Sequence, residues 1–72
     1  MSDSLIDKRK LRLRRIRAGL NRSELAKRVQ VSVSHVSGIE RGDFGVSPKT
    51  LNAIAEALGC DITDLMPDEV AA

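Results

Sequence analysis

Asn21–Gly42 reads NRSELAKRVQVSVSHVSGIERG, and its punctuation decides the fold. Asn21 is an N-cap residue, and Glu24 follows three positions later, the spacing of a capping box. Leu25, Ala26 and Val29 recur at helical spacing and give one apolar face, while Lys27 and Arg28 point elsewhere. Gln30 and Val31 form a turn, and Ser32 is the next N-cap. Val36 and Ile39 make the buried stripe of a second helix, which Gly42 ends. Two short helices joined by a tight turn are the arrangement that sets a helix into the major groove of DNA.

The face of that second helix is unlike an ordinary solvated one. Val33, Ser34, His35, Ser37 and Gly38 are all short or uncharged, where Glu, Lys and Arg would be usual. Small side chains let a helix backbone approach another surface closely. Base edges are one such surface and a partner protein is another. As base contacts, Val33 suits a thymine methyl, and Ser34 and Ser37 accept several hydrogen-bonding partners. His35 suits a guanine or a phosphate.

Flanking segments supply a scaffold. Leu11, Leu13 and Ile16 interleave with Lys8, Arg9, Lys10, Arg12, Arg14, Arg15 and Arg17. This pattern predicts a first helix over 6–18 whose apolar side docks on the domain. Ser47 and Pro48 are an N-cap and first-turn pair, and Leu51, Ile54, Ala55 and Leu58 mark one face of a helix ended by Gly59. Asp61 caps a short last helix carrying Ile62, Leu65 and Met66, with Pro67 beyond it. Phe44, the only aromatic, lies in a loop, where it either plugs the core or meets a second subunit.

Taken together, Arg14–Val29, Val31–Gly42 and Thr50–Met66 resemble the helices of the N-terminal domains of lambdoid phage repressors and Cro-type regulators. The resemblance spans most of the chain and implies an all-α, lambda-repressor-like bundle that binds double-stranded DNA. It also implies that Arg15 pairs with Glu40, the acid that closes the recognition helix. The chain departs from the family in four places. Arg22 stands where the family usually has Gln, which implies a phosphate contact without the bracing that Gln provides. Gln30 stands where the turn often has Gly. No Gln or Asn lies between Ser32 and Arg41 to read adenine, and the loop Asp43–Ser47 is about one residue longer than in close relatives.

Charge is polarised along the chain. Residues 1–49 hold all twelve Lys and Arg against five acids, a balance of +7, whereas residues 50–72 hold five acids and no base. A basic half suits a phosphate backbone, and an acidic half should face away from it. The candidate phosphate contacts are Arg22, Lys27, Arg41 and Lys49, with Lys8, Arg9, Lys10 and Arg12 from the first helix. The interface of a homodimer is then expected in the acidic half, at Phe44, Val46, Leu65 and Met66.

Enzymatic chemistry finds no support. The chain has one His, one Cys, no Tyr and no Trp, and no Gly-rich phosphate loop or paired-carboxylate pattern. Cys60 reads as a small core side chain. The sequence suggests no cofactor, metal or small-molecule ligand. It contains no apolar run long enough to span a membrane, and the basic helix lacks the bulky apolar residues of a membrane binder. The expectation is one cytoplasmic domain over 1–72, associated with the nucleoid when bound to DNA. It should have a helix-turn-helix at 21–42, flexible ends at 1–5 and 68–72, and five helices at 6–18, 22–29, 33–41, 48–58 and 62–66. The function expected is a sequence-specific transcriptional regulator, in the main a repressor on a palindromic operator. An antitoxin or controller protein acting on its own promoter is the alternative within the class, and a protein-interaction adaptor the alternative outside it.

Overall fold

Local capping sets the helix boundaries. The computed structural model describes residues 5–68. The ends expected to be flexible lie almost wholly outside that range. The first helix, α1, spans Lys8–Arg17, and the Asp7 carboxylate caps it by accepting from the Arg9 and Lys10 amides. Helix α2 spans Arg22–Val29. The Asn21 side chain accepts from the Glu24 amide at 2.7 Å, and Glu24 accepts from the Asn21 amide at 2.8 Å. Helix α3 spans Val33–Arg41, with Ser32 accepting from the His35 amide. Helix α4 spans Pro48–Leu58, with Ser47 accepting from the Thr50 amide.

The fifth helix expected at 62–66 is not there. Among the described residues, four α-helices are followed by a single 3-10 turn at Ile62–Asp64. The Leu65 carbonyl accepts from the Asp7 amide at 2.7 Å, which draws the chain across to the start of α1. Pro67, with no amide hydrogen to donate, cannot carry a helix onward.

The core gathers Ile6, Leu11, Leu20, Leu25, Ala26, Val36, Ile39, Leu51, Ile54, Ala55 and Leu65. Helix α2 packs on both α3 and α4, and α1 packs on α3. The inner face of α1 differs from the expected one. Leu11 is fully buried, but Leu13 and Ile16 are 49% and 56% exposed. Arg15, one helical turn after Leu11, takes the inward place instead. Leu13 and Ile16 then fall on the outer side with Arg9, Arg12 and Arg17. Cys60 is half-buried against the core. Burial pushes its thiol pKa up, the Arg14 guanidinium pulls it back, and Asp64 and Asp61 add to the rise. A thiol held protonated in this way is a poor nucleophile. Among the described residues no helix is long and apolar enough to cross a membrane.

The turn between α2 and α3 is closed by two backbone bonds, Val31 N–H to Ala26 C=O at 3.0 Å and Gln30 N–H to Lys27 C=O at 3.3 Å. This pair of bonds requires a left-handed residue after α2, and Gln30 supplies it at φ 65°. The turn thus keeps its positive-φ geometry without glycine. A side chain costs about 1 kcal/mol in this conformation. Gln30→Gly should therefore stabilise the domain by about 1 kcal/mol and raise Tm by about 4–8 °C in a thermal melt. An unchanged or lower Tm would contradict this account of the turn.

Candidate nucleic-acid interface

The pose of α3 is set by a buried carboxylate. Glu40, on the inner face of α3, has a side chain that is 1% exposed. Arg15 of α1 grips it with two bonds, Nε to Oε2 at 2.6 Å and Nη2 to Oε1 at 3.1 Å. The remaining Arg15 nitrogen donates to the Leu20 carbonyl at 2.9 Å, at the end of the α1–α2 connection. Arg22, in the first turn of α2, adds Nε to Glu40 Oε1 at 3.2 Å. The pair implied by the resemblance is present, and Arg22 braces the recognition helix after all. The long guanidinium arm reaches the carboxylate that a shorter side chain would approach differently. Among the described residues no buried side-chain nitrogen or oxygen lacks a hydrogen-bond partner.

With Val36, Ile39 and Glu40 turned inward, α3 presents Val33, Ser34, Ser37 and Arg41 outward. Val33 is 45% exposed and Ser34 is open to solvent, while Ser37 is half-buried. His35 and Gly38 are placed differently from the other three base-contact candidates. Gly38 is buried, with the ring of Phe44 lying directly over it, so its backbone is not the bare surface expected. His35 is half-buried, and its imidazole packs against the same ring at a centroid distance of 4.9 Å and an interplanar angle of 37°. No sequence signal pointed to this cluster, because it joins a loop residue to helix residues six and nine positions before it.

The basic candidates separate into groups. Lys27 and Lys49 are exposed on α2 and in the first turn of α4, and neither has an ion-pair partner among the described residues. Arg22 is 42% exposed beyond its bond to Glu40. Arg41 is exposed and pairs with Asp43 at 2.9 Å. Lys8 donates to the Arg41 carbonyl at 3.4 Å and so caps the end of α3. Lys10 is removed from the free set, since its ammonium donates to the Met66 carbonyl and pairs with Asp68. Arg9 and Arg12 lie on the exposed side of α1. Of the four residues expected at a subunit interface, Leu65 is 0% exposed and belongs to the core. Val46 and Met66 are half-buried against it, and Phe44 is 44% exposed beside α3.

The helix-turn-helix family model matches residues 11–65. This chain belongs to the helix-turn-helix family. Among solved structures it is similar to the restriction-modification controller protein C.AhdI from Aeromonas hydrophila, at 32% identity and a TM-score of 0.78, covering 82% of this chain and 89% of that one. It is also similar to the clp gene regulator ClgR from C. glutamicum, at 35% identity and a TM-score of 0.74, covering 79% of this chain and 74% of that one. A hypothetical transcription factor, NHTF from Neisseria, aligns at 26% identity and a TM-score of 0.72, covering 92% of this chain and 85% of that one. No curated protein sequence matches the chain. This helix-turn-helix protein is a DNA-binding transcriptional regulator, in a family of regulators rather than enzymes.

Removing one partner of a buried ion pair strands the other, at about 3–5 kcal/mol. Glu40→Gln should lower stability by that amount, most of what a domain of this size has. The urea midpoint should fall accordingly. The double variant Arg15→Met/Glu40→Leu should recover most of the loss, because it leaves no unpaired buried charge. A double variant no more stable than Glu40→Gln would contradict the stranded-charge explanation.

Proposed function

We propose that this regulator represses transcription by binding a palindromic operator as a two-fold symmetric pair. The observation that carries this reading is the outward stripe of α3, in which Val33, Ser34 and Ser37 are small enough for close approach and Arg41 stands at the end. Lys27 on α2 and Lys49 on α4 are exposed and have no ion-pair partner among the described residues, and Arg22 offers the exposed part of its guanidinium. These residues follow the phosphates while α3 lies in the major groove. Helix α4 has Lys49 at its start and Glu56 two turns later, so its first turn meets the backbone and its acidic end points away.

One domain of this size touches about half a turn of DNA, too little to select one site in a genome. Two copies with half-site centres roughly 34 Å apart read a full palindrome. Among the described residues after 50, no large apolar side chain is strongly exposed. With Leu65 in the core, the half-buried Val46 and Met66 remain as candidates for the subunit contact, and so little exposed apolar surface makes the free protein a weak dimer completed on DNA. The likeness to a restriction-modification controller supports a narrower version, in which the operator lies in the protein's own promoter. The site of action is then the cytoplasm, on the nucleoid.

About four phosphate contacts per copy, or eight per pair, give a log–log salt slope near −7. Lys49→Ala should flatten that slope by about 2 while leaving base preference unchanged. Fluorescence anisotropy over a salt series measures both, and a wild-type slope shallower than about −2 would sink the electrostatic account. Sedimentation of the complex should show two copies per palindrome. Saturation by a single copy would refute the symmetric pair.

A further inference from the structure

Phe44 neither plugs the core nor lies in the acidic half of the protein. Its ring stands on α3 over Gly38, and its Cε2 and Cζ atoms occupy the space that a Cβ at position 38 would need. On a helix surface, position 38 is bordered by 34 and 35 on one side and by 41 and 42 on the other. The ring therefore projects where a side chain at 38 would project, beside Ser34 and Arg41. His35 holds it from the flank at 4.9 Å between centroids. Of the four large apolar residues exposed in the described structure, two are on the back of α1, and the other two, Val33 and Phe44, belong to the surface of α3.

We propose that Phe44 is a specificity-determining DNA contact, an aromatic side chain lent to the recognition helix by the loop that follows it. The proposal rests on the reading that α3 enters the major groove. Gly38 is small so that the ring fits against the helix. With Val33 near one end and Phe44 near the middle, α3 carries two apolar tips set among serines. Serine hydroxyls discriminate weakly between bases, whereas apolar tips distinguish thymine by its C5-methyl group. Phe44 thus selects thymine at a position that Val33 does not reach.

The test starts from the half-site that wild-type protein selects from a random duplex pool. Each thymine in it is replaced singly by deoxyuridine, which removes only the methyl group. At the thymine met by Phe44, the replacement should weaken wild-type binding about fourfold per half-site, the amount expected for one buried methyl. It should have no effect on Phe44→Ala. Gly38→Ala, which pushes the ring away, should lose the same sensitivity, and Phe44→Leu should keep part of it. Circular dichroism should show all three variants folded, and sedimentation should show the wild-type stoichiometry on DNA.

Three results would overturn the proposal. One is a Phe44→Ala variant that keeps wild-type sensitivity to uracil at every thymine. Another is a selected half-site with no thymine sensitive to the loss of its methyl. The third is loss of the second copy from the complex in Phe44→Ala, which would place the ring at a subunit contact. If wild type selects no sequence at all, the groove-binding reading itself fails, a result distinct from the first three.

Discussion

The structure depends on one carboxylate that is almost wholly shut off from water. Glu40 lies on a helix of nine residues whose apolar anchors are Val36 and Ile39. Two anchors three positions apart define a line, and a helix can roll about it. Glu40 removes that freedom, because its oxygens must meet Arg15 from α1 and Arg22 from α2 at bonding distance. A buried ion pair is weak evidence for stability, since its desolvation offsets much of the attraction. Its contribution here is directional. A rolled α3 would leave a buried carboxylate without partners, which costs far more than a loosened apolar contact.

Features governed by neighbours in the chain were legible in the sequence. The caps at Asn21, Ser32 and Ser47, the capping-box acid Glu24 and the terminating Gly42 and Gly59 all act within a few residues. Their side chains find the partners that the spacing implies. Features decided across the chain were not legible. Leu13 and Ile16 look like core residues only while Arg15 is counted as a surface arginine. Once Arg15 turns inward to Glu40, the face of α1 rotates with it. Leu65 looks like an interface residue only if a helix continues past it. Its carbonyl instead joins Asp7, and its side chain closes the core. The sequence puts Phe44 in the core or at a subunit contact and gives no sign of its place over Gly38, because a loop side chain has no period from which to read its direction.

Helix α1 also changes how the basic charge should be read. Lys8 and Arg15 hold the last turn of α3 through Arg41 and Glu40, Arg14 reaches Asp64 at 3.5 Å and Lys10 reaches the segment after the last turn. The helix is a strap between the reading unit and the acidic end, so several of its cations act within the fold rather than on a ligand. The opposed charges of the two ends of the chain, which suggest that one faces DNA and the other faces away, also attract each other through α1. Among the described residues, the cations left without an internal partner are Arg9, Arg12 and Arg17 on the outer side of α1, Lys27 and Arg28 on α2, and Lys49 at the start of α4.

Under the proposed reading of α3 as the helix that enters the major groove, this division bears on how a helix with so few polar groups achieves selectivity. Val33, Ser34 and Ser37 offer few directional contacts, so much of the discrimination must come from the cost of fitting each DNA sequence to the protein. Such indirect reading works only if the protein yields less than the DNA. A helix free to roll would follow the groove of every sequence and would register little difference among them. A helix pinned through Glu40 to two neighbours obliges the DNA to deform instead, and the deformation energy then depends on sequence. On that reading the buried ion cluster of Glu40, Arg15 and Arg22 is as much part of the DNA-reading apparatus as the side chains proposed to meet the bases.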